Sequence, residues 1–303
     1  MSSRVKRILK NPKLLFMTLG QRGFFNWMDD ETYLRIAYRA KMGRKLRLNP
    51  PITYNEKLQW LKIHDRNPVY TQWVDKYEAK VLAGRAIGEK YIIPTLGVWQ
   101  CFDEIDFDIL PEQFVLKCTH DSGGLVICRS KLQFDRKAAR RKIEGCLKHN
   151  FYYGQREWPY KDVKPRIIAE KYMEDSETSE LRDYKVYTFG GKAMFCMINQ
   201  EREIHTRADY FDRDYNWLDF TWGYDHADVL PEKPKNYELM YELAEKLALG
   251  TAELRVDFYE VNGQVYFGEV TFFDGSGFSK INPVEWDYKM GSMIQLPVLS
   301  EKN

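Results

Sequence analysis

The sequence predicts an α+β fold of two lobes, on three observations. Strand-like runs rich in Val, Ile, Tyr and Phe fall into two clusters. Helical patterns stand apart from those clusters instead of alternating with them strand by strand, which argues against a doubly wound sheet. Gly190-Gly191 and Asn262-Gly263 are hairpin signals, and hairpins join strands antiparallel. With 303 residues, 44% hydrophobic and 30% charged, the chain has globular composition and can build one large domain or two to three lobes.

Taken in order, residues 1–50 read as short basic helices ending at Asn49-Pro50-Pro51. TYNEKLQWLKIHD follows, with Thr53 and Glu56 spaced as a capping box before Leu58, Leu61 and Ile63. VDKYEAKVLAGRAIGEKYIIPTLGVW gives a helix that ends near Gly88, then a strand. QFVLKCTHDSGGLVIC is strand, glycine loop, strand. FDRKAARRKIEGCLKHN is a basic helix, FYYGQREWPY an aromatic loop and RIIAEKYM a strand. After a polar, acidic insertion, DYKVYTFGGKAMFCMIN is a hairpin. In NYELMYELAEKLALG, Asn236 caps a helix whose Met240, Leu243, Ala244 and Leu247 share a face, and Gly250 ends it. A hairpin, LRVDFYEVNGQVYFGEVTF, follows. INPVEWDYKMG opens a last helix with Asn282 as cap, Pro283 at its first position and Glu285 three residues after the cap. The expected division is a helical segment over 1–70, a first lobe over 71–169 and a second over 170–303.

Composition narrows the function. No apolar run reaches the length of a membrane span, and the basic start SSRVKRILKNPKLLFMTL lacks a secretory cleavage site. Five scattered cysteines without a CxxC pair indicate neither a zinc knuckle nor a disulfide framework. A reducing cytoplasm is the expected compartment. Net charge is +2, unevenly placed. Residues 1–50 hold twelve Lys/Arg against three Asp/Glu, a net +9, so the remainder carries −7. A basic arm on an acidic body suits an anionic partner: an anionic polymer or the inner face of a membrane, with peripheral contact through the N-terminus. A solvated docking helix is the plainer reading. No nucleic-acid motif is present, and the acidic remainder argues against that partner.

The last hairpin poses the chemical question. Asp257 and Glu269 stand inside its apolar strands, where a carboxylate is costly unless compensated. Magnesium takes hard oxygen ligands and bridges one or two carboxylates to nucleotide phosphates. Parity constrains that idea. A plain two-residue loop at Asn262-Gly263 puts Asp257 opposite Gly268, with Glu269 on the other face. The two share a face only if the register slips by one, as with a three-residue loop 261–263 and Gly263 in a bulge. Elsewhere Lys117 ends the strand FVLK before Asp121-Ser122-Gly123-Gly124, where an ammonium and backbone N–H groups can meet phosphate. Glu170 and Lys171 end a strand beside Tyr172 and Met173. Asp183 and Lys185 share one strand face. Each of these, taken singly, is also an ordinary turn or exposed strand position.

In this order, these segments resemble the ATP-grasp superfamily: a lysine strand with a glycine loop, a Glu-Lys hinge strand, an acidic ribose contact, then Leu254-Arg255-Val256-Asp257 and Gly268-Glu269-Val270-Thr271. YNEKLQWLKIHDRNPVYTQWVDKYEAK, LPEQFVLKCTHDSGG, REWPYKDVKPRIIAEKYMED, YFGEVTF and PVEWDYKMG are similar to segments of its teichuronopeptide-biosynthesis (TupA-like) branch. The resemblance implies an ATP-grasp fold, two α+β lobes with ATP between them, and Mg2+ as metal. It implies phosphate contacts from Lys76, Lys117 and the loop Ser122, Gly123, Gly124. Adenine would lie along Glu170, Lys171, Tyr172 and Met173, and ribose against Asp183, with Lys185 beside it. Asp257 and Glu269 would be magnesium ligands, with Thr271 where many relatives have Asn. Arg255 would steady an oxyanion. Arg207, Gly275 and Ser276 would face the substrate, although Asp274-Gly275 replaces the usual Pro-Gly.

The implied reaction is ATP-dependent joining of a carboxylate and an amine through an acyl phosphate. The acid expected is a uronic or other sugar acid, small, polymeric or nucleotide-linked, and the amine an amino acid or small amine, in capsule or cell-wall polysaccharide synthesis. An ATP-dependent kinase, or a polysaccharide-assembly or glycosyltransferase-associated factor regulated by ATP, is the alternative. Phosphate retained on the product marks the first, and absence of turnover the second.

Overall fold

The computed structural model describes residues 12–176, 181–200, 206–248 and 250–298. The start of the basic arm (1–11) and part of the acidic insertion (177–180) lie outside them. Among the described residues eleven strands form three antiparallel sheets: β1 (Thr95–Trp99), β2 (Phe114–Cys118), β3 (Leu125–Cys128), β4 (Ile167–Lys171), β5 (Asp183–Phe189), β6 (Lys192–Gln200), β7 (Arg207–Asp212), β8 (Thr221–Trp222), β9 (Glu253–Val261), β10 (Gln264–Thr271) and β11 (Ile281–Asn282). Their orders are β1-β4-β2-β3, β10-β9-β5-β6-β7 and β11-β8.

The small sheet sets its chemistry by alternation. Phe114, Leu116 and Cys118 of β2 and Ile167 and Ala169 of β4 form one core with Ala139 and Ile143 of the helix Arg136–Leu147. Lys117 and Glu170 therefore point away from that helix, because successive strand residues face opposite sides. Glu170 lies across from Val115, two residues from Lys117, so their side chains meet diagonally.

The large sheet does the same over five strands. Tyr184, Val186, Cys196, Ile198, Val256 and Phe258 are buried in one core with Met240, Leu243, Ala244 and Leu247 of the helix Tyr237–Leu247. The other face carries the charged groups among buried Tyr187, Phe195 and Met197. One row across the strands reads Met197, Lys185, Asp257, Glu269, and the next reads Phe195, Tyr187, Arg255, Thr271.

That row exists because of the one-residue slip that parity requires, and the slip is a bulge within β10 instead of a three-residue loop 261–263. The turn is the plain two-residue one, with Val261 opposite Gln264 and both Asn262 (φ 51°) and Gly263 (φ 74°) left-handed. The register slips instead between Phe267 and Glu269, at Gly268, which brings Glu269 opposite Asp257. A Cβ on Gly268 would sit 3.1 Å from the Asp257 carbonyl oxygen and 3.1 Å from the Tyr259 ring. Glycine fits this close approach.

Helix entries follow local chemistry with two departures. The Thr53–Glu56 capping box closes on the helix Tyr54–His64, and Asp75 caps Lys76–Ile87 through Tyr77 N and Glu78 N. Asn236 makes no cap bond; its amide donates to Glu260 and to the Gly263 carbonyl, tying the helix to the hairpin turn. Asn282 does not cap either. It pairs with Thr221 in the third sheet, and the helix Glu285–Met293 starts after it. β7, with no strand expected from the sequence, fills the edge beyond β6, and β8, also unexpected, pairs with β11 in the third sheet. Asp212-Arg213-Asp214 ends β7 in a turn, with the Asp212 carboxylate accepting from Asp214 N, Asn216 N and the Asn216 amide.

Candidate active site

Asp257 is 2% exposed and bracketed by cations. Arg255 donates to it through Nε at 2.6 Å and Nη2 at 2.8 Å, and Lys185 through Nζ at 2.5 Å. Burial alone would raise its carboxyl, but Arg255 and Lys185 outweigh burial and hold it below its ordinary range. Lys185 also pairs with Asp183, and Arg255 with Asp274, which accepts from the Tyr187 hydroxyl at 2.6 Å. Burial opposes charge on Lys185 and Arg255, yet their carboxylate partners keep both above their ordinary values. Within the protein, then, the intrastrand arginine and the neighbouring lysine compensate the buried acid.

Glu269 is different. Its side chain is 43% exposed, and its ion pairs are long: 3.5 Å to Arg255 and 3.7 Å to Lys76. Thr271 lies opposite Arg255 on the same face. The trio Asp257, Glu269 and Thr271 is a set of hard oxygen donors with coordination capacity left on Glu269, and it fits magnesium.

Lys76 joins the two sheets. Besides Glu269 it reaches the Asp121 carbonyl at 2.6 Å, and its own N–H donates to Thr119 O at 2.9 Å. The loop carrying Ser122, Gly123 and Gly124 is thus docked on the start of the helix Lys76–Ile87. Gly124 lies so close to Cys118 that a Cβ would come 2.6 Å from its sulfur, and Asp121 accepts the Gly124 N–H at 2.9 Å.

Glu170 is clamped by two lysines, Lys117 at 2.5 Å and Lys80 at 2.6 Å. Burial pushes its carboxyl up, but the two ammonium groups reverse that and bring it to about 2. Lys80 is not among the residues the sequence analysis points to. Its signal was there: it stands four residues after Lys76 on one helix face. Lys171 is exposed, and the Tyr172 hydroxyl accepts from Arg129 at 3.2 Å. Tyr172 and Met173 lie beyond the end of β4.

Arg207 opens β7, 3.3 Å from the His226 carbonyl, away from this cluster. Gly275 and Ser276 belong to a left-handed run, with φ of 53°, 56° and 63° at Gly275, Ser276 and Gly277. The helix Tyr54–His64 grips that run. Lys62 Nζ donates to Ser276 O at 2.8 Å and Oγ at 2.9 Å, Gln59 donates to Ser276 O and Gly277 O, and Ser276 Oγ donates to Glu157 at 2.6 Å. Burial brings the Lys62 amine down to about 7, against the opposing pull of Glu157. A cavity of about 290 Å³ opens beside Arg255 and Lys185, walled by Asn199, Trp222, Tyr224 and Ser279. Asn199 is 6% exposed, and its Oδ1 has no partner among the described residues.

The family model for TupA-like ATPgrasp matches residues 56–295. No curated protein matches the sequence. Among solved structures the chain is similar to the D-alanine-D-alanine ligase from Helicobacter pylori, at 14% identity, over 80% of this chain and 64% of that one, with TM-score 0.41. It is also similar to the D-alanine-D-alanine ligase from Bacillus anthracis complexed with ATP, at 18% identity, over 74% and 59%, with TM-score 0.39. A third is N5-carboxyaminoimidazole synthetase from Staphylococcus aureus complexed with ADP, at 14% identity, over 74% and 52%, with TM-score 0.41. The chain spans 64%, 59% and 52% of the length of these three proteins. The family match covers most of the chain and every residue of the cluster described above: this chain belongs to the TupA-like ATP-grasp family.

Proposed function

We propose that this chain is an ATP-dependent carboxylate–amine ligase that forms an amide through an acyl phosphate and releases ADP and phosphate. The observation that carries the reading is the Gly268 bulge. It places Glu269 across from Asp257, on one face with Thr271 and beside Arg255, in a chain of the TupA-like ATP-grasp family. Bound Mg-ATP supplies the phosphoryl group that activates a carboxylate, and the metal neutralises charge on the phosphoryl oxygens.

The chain's own groups do the rest. Asp257, Glu269 and Thr271 hold the metal. Lys76, Lys117 and the backbone of Ser122, Gly123 and Gly124 hold the phosphates. Glu170 to Met173 border the adenine and Asp183 the ribose, with Lys185 fixing both Asp183 and Asp257. Arg255, locked by Asp257 and Asp274, presents a preorganised cation to the oxyanion that develops when the amine attacks.

The 290 Å³ cavity takes the acid substrate. Trp222 and Tyr224 offer apolar ring faces, the Asn199 amide oxygen accepts from a hydroxyl, and Lys185 and Arg255 line the cavity together with Asp274, the partner of Arg255. These features support a uronic or other sugar acid, joined to an amino acid or small amine in capsule or cell-wall polysaccharide synthesis. Gly275 borders the cavity, and Ser276 beside it holds that loop through Lys62 and Glu157. Work on such a polymer places the enzyme at the inner face of a membrane, with the basic N-terminal segment as its contact.

The test is a screen of the purified chain with Mg-ATP against pairs of uronates and amino acids. Free phosphate and ADP should form only when acid and amine are both present. A stable phosphorylated product would mark a kinase instead, and no turnover with any pair would remove the ligase reading.

A further inference from the structure

The helical cap over residues 12–50 shows an unusual surface. Its three acids are all engaged. Asp29 caps the helix Asp30–Met42 by accepting from Thr32 N at 2.9 Å, Asp30 pairs with Arg66 at 2.8 Å, and Glu31 pairs with Arg35 at 2.7 Å. Arg22, Arg39, Lys41, Lys45 and Arg47 are exposed and make no ion pair among the described residues. Between the helices Pro12–Gln21 and Asp30–Met42 lies a groove of about 640 Å³. Phe16, Ile36, Ala40 and Leu46 form its apolar part, and Arg35, Arg39 and Lys45 its charged part.

The loop after the first helix adds two large exposed aromatics, Trp27 at 79% and Phe24 at 62% exposure. This exposure is built. Phe25 and Met28 of the same loop pack into the cap's own core with Tyr33, Leu34 and Tyr38. Arg156, itself 1% exposed, donates to the Phe25 carbonyl at 2.6 Å and the Met28 carbonyl at 3.3 Å, and its guanidinium lies 4.4 Å from the Tyr33 ring. The fold therefore uses a buried cation to hold a loop that turns an indole and a phenyl ring to solvent.

The geometry points to an anionic phospholipid bilayer as the partner of this cap. Aromatic side chains settle at the level of lipid headgroups, and basic residues beside them are drawn to anionic leaflets. Partly inserted apolar groups together with surface cations are the combination that binds such interfaces. A soluble polyanion needs the cations alone and gives no reason for the held, exposed Trp27 and Phe24. The groove beside Arg39 and Lys45 suits the region just below the headgroups, where acyl chains begin. The inference rests on the cap alone and survives if the ligase reading fails.

Sedimentation of the full chain with vesicles tests it. Vesicles of phosphatidylcholine containing phosphatidylglycerol should pellet the protein roughly tenfold better than phosphatidylcholine alone at low salt, and the gap should shrink as salt rises. Arg39→Glu with Lys45→Glu should abolish the preference for anionic lipid. Trp27→Ser with Phe24→Ser should lower binding severalfold while leaving the far-UV circular dichroism and melting temperature unchanged. Equal binding to both vesicle types overturns the proposal. So does a full retention of vesicle binding by the Trp27/Phe24 variant together with equally tight binding of soluble polyglutamate, which would make the cap a polyanion site.

Discussion

Glutamine at position 170 is the sharpest probe of the small sheet. Glu170 titrates at about 2 in the folded chain against an ordinary 4.5. At about 1.4 kcal/mol per pKa unit, that difference gives about 3 kcal/mol to the folded state at neutral pH. Lys80 pulls the other way, since burial lowers its amine even with Glu170 2.6 Å away. The pair thus nets less than the carboxylate's share, which is the larger because it meets two ammonium groups. Glu170→Gln removes that share and strands Lys80 in a buried place, so the loss should be about 3 kcal/mol, or a Tm drop of roughly 5 °C for a chain of 303 residues. The sign with pH is fixed by the depressed carboxyl. Its contribution is complete above 4.5 and is lost as pH falls through about 2. Thermal melts of wild type and Glu170→Gln should therefore differ most at neutral pH and converge toward pH 2. Equal melting at pH 7, or a gap that persists undiminished in acid, would refute the two-lysine clamp.

Three other outcomes are expected. Gly268→Val should force the bulge open against the Asp257 carbonyl and the Tyr259 ring, costing about 1–3 kcal/mol and most ATP turnover; normal melting and activity would show that the slipped register tolerates a side chain. Glu269→Gln, at a half-exposed position, should move stability by no more than about 0.5 kcal/mol yet cut ATP turnover by orders of magnitude, and turnover within twofold of wild type would remove Glu269 from the metal site. Lys62→Met leaves the Ser276 carbonyl without its buried amine donor, at about 1–3 kcal/mol; combined with Glu157→Gln, the loss in denaturant unfolding should fall well short of the sum of the single losses, because both residues bond Ser276, and strict additivity would show that the two are not coupled.

The residues by themselves determined much of this molecule. Hairpin turns at Gly190-Gly191 and Asn262-Gly263, the Thr53–Glu56 capping box and the one-face pairing of Asp183 with Lys185 are local rules, set by backbone conformation and a two-residue side-chain period. Period also required a slip of one residue if Asp257 and Glu269 were to share a face. Where the slip falls is another matter. Any residue between the carboxylates restores parity, and only the packing of Tyr259 and the Asp257 carbonyl against position 268 selects Gly268. Lys80 lay unremarked for a related reason, since its meaning depends on Glu170, ninety residues away. Asn236 and Asn282 look like helix caps to a local rule, but the hairpin turn takes the Asn236 amide and the third sheet takes the Asn282 backbone. The grip of Lys62 on Ser276 joins positions 214 residues apart. Local sequence specifies which groups can make such contacts; only the packed chain brings a helix lysine, a loop serine and a buried glutamate together where desolvation makes their bonds matter.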